Sequence, residues 1–126
     1  TAIFSFGVRA DAQQQGRCDR SAVVSVTAGN TTEIVALTSN TSVRICGFSL
    51  GMATTGTAQF KYGTGTNCGT GTANLTGAVN ITAGNTWTAF APDTGSGVFG
   101  PVLLSNAVCI SAVTGNVTGF LSYAKY

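Results

Sequence analysis

The residues of this chain that could carry chemistry are few, and its four cysteines are the most informative of them. They are Cys18, Cys46, Cys68 and Cys109, with no Cys-x-x-Cys pair. The sequence contains no histidine, so it cannot supply a histidine general base, a Ser-His-Asp or Cys-His system, or a histidine metal ligand. A zinc ion would need all four cysteines at unusual spacings, so we expect disulfides and no metal site.

The pairing of the cysteines is open, because four cysteines allow three connectivities. Cys46 and Cys109 fall in the middle of predicted strands, whereas Cys18 and Cys68 fall near strand ends. We therefore favour Cys46 with Cys109 and Cys18 with Cys68, and a mixture of bridges and buried thiols is the alternative. Bridges form in oxidising surroundings, which indicates a secreted protein or an extracellular particle.

Carboxylates are the second group that could do chemistry, and the sequence scatters them over an N-terminal segment, a strand edge, a strand start and a loop. The acidic residues are Asp11, Asp19, Glu33 and Asp93. Their spacing indicates neither the paired carboxylates of glycoside hydrolysis nor a calcium site. Asp93-Thr94-Gly95 is similar to the aspartic protease signature, but its flanks are typical of an ordinary loop. Residues 62–71 contain a Gly-x-Gly without a P-loop lysine, so we predict no enzyme and no cofactor.

The composition indicates the kind of fold that must position these residues. The 126 residues fit one domain, only 8% of them are charged, and Thr, Val, Gly and Asn are abundant. Thr and Val favour strands, whereas Gly and Asn favour turns. The predicted strands are 22–27, 33–38, 43–50, 58–62, 75–81, 86–90, 107–113 and 117–126. We predict an all-β antiparallel β-sandwich over residues 18–126, with a jelly roll favoured over immunoglobulin-type and barrel topologies.

Residues 1–17 differ from the rest and are predicted to form an extended N-terminal arm. The arm is apolar at Ile3, Phe4, Phe6 and Val8, and polar over residues 9–17. Because phenylalanine is costly to leave in water, we expect the arm to pack against protein. Packing on the chain's own domain is the simpler expectation, and an assembly arm that packs on a neighbouring subunit is the alternative.

Asparagine and glycine mark the predicted turns. Residues 26–31 and 81–86 have closely similar sequences, and each copy joins one strand to the next. The Gly-Asn dipeptide in each copy is typical of β-hairpins, so we predict two similar turns and not a duplicated unit. We likewise interpret the Asn-x-Ser/Thr triplets as turn residues; they begin at Asn30, Asn40, Asn74, Asn80 and Asn116.

The surface is predicted to be neutral, which limits its possible partners. Six Lys and Arg against four Asp and Glu give a net charge of +2, so we expect no direct binding to nucleic acid. Apolar runs are too short to span a membrane. Most aromatic side chains should pack in the core, and the candidates for exposed contacts, including a sugar-binding face, are Tyr62, Trp87 and Tyr126. Weak electrostatic protection against self-association favours burial of the surface in an assembly.

An ordered string of motifs along the chain suggests a family. The motifs are Cys18-Asp19 before a Val-rich strand, then residues 43–48, 62–71, 75–78, 106–110 and 117–123. Together they resemble small β-sandwich virion proteins of tailed bacteriophages, and the resemblance covers residues 18–126. The arm lies outside it.

The resemblance implies a structural protein of the virion, with capsid decoration (cement) as the leading role. Such proteins commonly sit as trimers on a shell of major capsid protein, so a homo-oligomer, with a trimer favoured, is the expected state. Some similar domains belong to tail, neck or fibre components instead. The alternative from a different class is a carbohydrate- or receptor-binding module of a tail fibre or a secreted protein.

Overall fold

Strands account for most of the chain that the computed structural model describes, which is residues 18–90 and 102–125. Alternating apolar and hydroxyl side chains give each strand one core face and one outer face. The strands are β1 Arg20–Val26, β2 Thr31–Val35, β3 Val43–Met52, β4 Gly56–Thr64, β5 Thr70–Asn74, β6 Val79–Ile81, β7 Thr86–Phe90, β8 Ala107–Val113 and β9 Val117–Lys125. A 3-10 turn, Thr66–Cys68, lies between β4 and β5.

The strands form two antiparallel sheets packed face to face. One sheet has four strands in the order β1-β9-β3-β7, and the other has the order β2-β8-β4-β5, with β6 also paired to β4. β5 and β6 pair with opposite ends of the same edge of β4, so they are two halves of one interrupted strand. Counted in this way, eight strands cross repeatedly between the sheets in the order of a jelly roll. The prediction of an all-β sandwich is confirmed.

Three aromatic rings join the two sheets at the centre of the core. Phe48 from β3 and Phe60 from β4 have ring centroids 5.0 Å apart. Trp87 from β7 lies 4.9 Å from Phe48 and 5.6 Å from Phe60, and both contacts are edge-on. Since edge-to-face contacts at these distances are favourable beyond the apolar area that they bury, this cluster fixes the spacing of the sheets.

Two similar turns carry the chain from one sheet to the other. The Asn30 amide donates to the Thr27 carbonyl at 3.1 Å, and the Asn85 amide donates to the Thr82 carbonyl at 2.9 Å. The third residue of each turn is a glycine, with φ of 85° at Gly29 and 81° at Gly84, a conformation that glycine adopts without strain. The predicted similarity of the turns is confirmed. The hairpin interpretation is wrong, because β1 and β2, like β6 and β7, belong to different sheets.

Both disulfides are present, but the predicted pairing is wrong. Cys18 bonds to Cys46 and Cys68 bonds to Cys109. Cys109 alternates with core residues of β8 and forms a separate buried cluster with Cys68 on the outer side of the five-stranded sheet. Cys46 lies in β3 of the other sheet, so a bond between Cys46 and Cys109 would have to pass through the core.

Candidate functional site

The outer face of the four-stranded sheet is the candidate site, and the strand register defines its members. Val24, Phe48 and Leu121 belong to the core, so their neighbours in sequence point outward. The pairing aligns Val23 with Phe120 and aligns Gly47 with Phe90. The face, called the exposed face below, consists of Ser21, Val23, Ser25, Gly47, Ser49, Gly51, Thr86, Thr88, Phe90, Thr118, Phe120 and Ser122.

Three apolar side chains stand out on the exposed face. Val23 is 83% exposed, Phe90 is 61% exposed and Phe120 is 46% exposed. The Phe90 and Phe120 rings have centroids 6.2 Å apart and are inclined by 36°. Gly47 leaves room for the Phe90 ring, because a Cβ at position 47 would collide with that ring. The Phe90 ring therefore lies over Gly47, and Phe120 lies next to Val23 in the register.

Hydroxyl groups surround these apolar side chains, and the twelve positions of the exposed face carry no charge. Arg44, opposite Ala124 at one end of the β3–β9 pair, is a charged residue on the same side of the sheet, because it alternates with the core residues Val43 and Ile45. The Thr88 hydroxyl donates to the Ser49 hydroxyl at 3.2 Å across the β3–β7 pair. The remaining members of the exposed face are serine, threonine or glycine. Such a face presents apolar area and small neutral groups, which suits contact with another neutral protein surface.

The outer face of the five-stranded sheet is different, because other parts of the chain occupy it and it carries charge. The Asn67 side-chain carbonyl accepts a 2.9 Å hydrogen bond from the Glu33 amide, and Cys68 is bonded to Cys109 beneath the 3-10 turn. Glu33 and Lys61 flank Cys109 on the two neighbouring strands. This face is therefore partly closed by the chain itself.

The predicted contact residues lie elsewhere. Tyr62 and Trp87 are half-buried and pack against the core, so they are less exposed than Phe90 and Phe120. Tyr126 and the arm residues Ile3, Phe4, Phe6 and Val8 lie outside the described residues. Phe90 and Phe120 are the exposed rings that the sequence did not single out. Each of them is adjacent along its strand to a residue that packs in or against the core, Ala89 and Leu121 respectively.

A metal-binding cluster and a membrane-spanning helix are both absent from the described residues. No three His, Cys, Asp or Glu side chains of residues 18–90 and 102–125 are grouped so that they could hold a metal ion. Within the same residues, no helix has the length and apolar character needed to cross a membrane.

Comparison of the chain with protein-family models, with curated proteins and with solved structures finds no match.

Proposed function

We propose that this chain is a structural protein of a bacteriophage virion, a capsid decoration protein that stabilises the shell by non-covalent contacts. The resemblance of residues 18–126 to small virion proteins supports the role. The observation that carries it is the uncharged exposed face, with Val23, Phe90 and Phe120 standing out among hydroxyl groups. A neutral and partly apolar surface suits permanent contact with subunits of a shell.

The size of the contact explains why the protein would act in many copies. Covering the exposed parts of Val23, Phe90 and Phe120 stabilises a contact by about 4 kcal/mol per copy. Association costs at least about 4 kcal/mol in lost translational and rotational freedom, so one copy would bind the shell weakly. A homo-oligomer, such as the expected trimer, engages several sites at once and binds far more tightly.

The arm and the disulfides fit the same role. We propose that Ile3, Phe4, Phe6 and Val8 contact a neighbouring subunit and add directional hydrogen bonds by pairing with a strand edge. The two disulfides suit an extracellular particle, where a domain of this size is exposed to oxidising conditions.

The proposal is tested by adding the purified chain to phage shells that lack it and measuring the bound protein after sedimentation. We expect Phe90→Ser and Phe120→Ser to reduce occupancy, because each removes apolar contact area. Val113→Ser is the matched control, since Val113 is 52% exposed on the outer side of the other sheet. Unchanged occupancy in both phenylalanine variants would reject the exposed face as the contact. Absence of the chain from purified virions by mass spectrometry would reject the function.

One observation favours the alternative of a carbohydrate- or receptor-binding module. Phe90 and Phe120 form an exposed aromatic pair beside the Ser49 and Thr88 hydroxyls, and sugars stack on aromatic rings. The exposed face offers no Asn or Asp to bind sugar hydroxyls, and its rings are inclined to each other, so this candidate ranks second. Binding of the isolated chain to a glycan array, abolished by Phe120→Ser, would support it.

A further inference from the structure

Strand β1 is an edge strand that lacks the features, such as central charges, proline and bulges, that usually prevent an edge from pairing with another strand. Within the described residues it pairs with β9 on one side and with no strand on the other. All seven residues of β1 follow a regular register, from Arg20 opposite Tyr123 to Val26 opposite Val117. Its single charged residue is Arg20, at the first position, and it contains no proline. Such an edge is a template for pairing with another strand.

The edges of the five-stranded sheet are built differently. β2 carries Glu33 at its centre and a register shift between Glu33 and Val35. On the opposite edge, β5 and β6 are separated by residues 75–78. Bulges, central charges and breaks in a strand all hinder edge pairing. The remaining edge strand, β7, is regular but has only five residues, so β1 is the longest regular edge of the described chain.

We propose that β1 pairs with β1 of a second copy, antiparallel and about a two-fold axis at Val23. This is the register in which all seven residues of both strands overlap. Directly opposed residues in an antiparallel pair lie on the same face of the sheet. The pairing therefore places the Val23 side chains of the two copies against each other, and places Ser21 of each copy opposite Ser25 of the other.

The chemistry of β1 is compatible with this contact. Val23 is 83% exposed and lies beside Phe120 in the register, so the pairing creates an apolar stripe of two valines between two phenylalanines. The two Arg20 side chains fall at opposite ends, roughly 20 Å apart, well beyond the screening length of about 8 Å at physiological salt. No like charges meet, and the two four-stranded sheets become one continuous sheet.

The contact is expected to be weak, because one edge buries less than the roughly 800 Å² per partner of a standard interface. The β1 pairing can be tested whether or not the proposed function is correct. It is a different contact from the one that would form a trimer, because it joins two copies only. If the chain decorates a shell as proposed above, neighbouring copies are held at high local concentration, so even a weak two-fold contact would form there.

Sedimentation equilibrium of the full chain tests the pairing, at protein concentrations up to about 1 mM. We expect a monomer–dimer equilibrium, and we expect Val23→Lys to weaken it by about tenfold or more, because two lysines would meet at the axis. Val113→Lys is the matched control and should leave the equilibrium unchanged. A wild-type chain that stays monomeric, or a dimer that Val23→Lys leaves intact, overturns the proposal. If the Phe4→Ser/Phe6→Ser variant loses the dimer while Val23→Lys keeps it, the copies associate through the N-terminal arm and the proposal of β1 pairing is overturned.

Oxidative cross-linking tests the register. All four native cysteines are held in disulfides, so an introduced cysteine supplies the one free thiol. Val23→Cys should cross-link to itself, and Ser21→Cys should cross-link efficiently only when mixed with Ser25→Cys. The same substitution at Val113 gives the background rate. Cross-linking of Val23→Cys at that background rate, or of Ser21→Cys alone as fast as in the mixture, contradicts the two-fold register.

Discussion

Removal of the two disulfides, separately and together, is expected to lower the free energy of unfolding by amounts that follow from the disulfide connectivity. Cys18→Ala/Cys46→Ala opens a bridge that spans 28 residues, and Cys68→Ala/Cys109→Ala opens one that spans 41 residues. Alanine is preferred to serine, because Cys68 and Cys109 are fully buried and a hydroxyl there would lack solvation.

The magnitude follows from the loop lengths. A bridge restricts the unfolded chain by an entropy that grows with the logarithm of the closed loop, which gives about 3.6 kcal/mol for the 28-residue loop and about 3.9 kcal/mol for the 41-residue loop. The two loops do not overlap in sequence, so their contributions add to about 7.5 kcal/mol. Total stabilities of single domains are about 5–15 kcal/mol, so loss of both bridges should leave the chain marginally folded or unfolded.

The assay is urea unfolding followed by tryptophan fluorescence. The single tryptophan, Trp87, lies in the ring cluster with Phe48 and Phe60, so its emission reports on contact between the sheets. With a typical denaturant dependence of about 2 kcal/mol per molar, each single-bridge variant should lower the unfolding midpoint by roughly 2 M.

A crossed variant supplies the decisive control. Cys46→Ala/Cys109→Ala removes one partner from each observed bridge, so it should lose about as much stability as removal of all four cysteines. If Cys46 and Cys109 were partners, the same variant would lose only one bridge. A loss equal to that of a single-bridge variant would refute the connectivity. A loss below about 1 kcal/mol in either single-bridge variant would refute the entropic reasoning.

Two further substitutions test the backbone. Gly119 has φ of 148°, and a Cβ there would overlap the Ser49 carbonyl. Gly119→Ala should therefore lower the free energy of unfolding, measured in urea, by at least about 3 kcal/mol. Gly77→Ala is the control and should be nearly neutral, because a Cβ at Gly77 would meet open space. Asn67 has φ of 50° and accepts from the Glu33 amide, so Asn67→Ala should lower the free energy of unfolding by about 1–2 kcal/mol. Asn67→Asp, which keeps an acceptor oxygen, should cost less, and equal losses would contradict the role of the hydrogen bond.

The strands that can be predicted from the sequence are those in which core-facing residues alternate with outward-facing residues. β7 coincides with its predicted range, and β8 does so as well. β5 was missed because Thr70–Asn74 is an exposed edge with no apolar period. Of the predicted strand 75–81 only Val79–Ile81 is formed, because the Thr76 hydroxyl and amide bind the backbone of Phe60 and interrupt the edge. Local hydrogen bonding of this kind leaves no periodic signal.

The candidate site was harder to predict than the fold. Exposure of Phe90 and Phe120 depends on which face of each strand meets the opposite sheet, and one residue of register reverses that choice. Trp87 is predicted as an exposed contact residue, but in the structure it is half-buried and packs against Phe48 and Phe60. The disulfide pairing depends on which strands are neighbours in space, which spacing along the chain does not encode.

The sequential arrangement of the two bridges also limits how far the domain can be stretched. If the chain is pulled between Cys18 and Lys125, the residues enclosed by each bridge bear no tension, and the force passes from Cys18 directly to Cys46 and from Cys68 directly to Cys109. Only residues 46–68 and 109–125 can extend, to roughly 130 Å at about 3.4 Å per residue, against roughly 360 Å for the unbridged chain. The domain would therefore act as a short tether even after its sheets had separated.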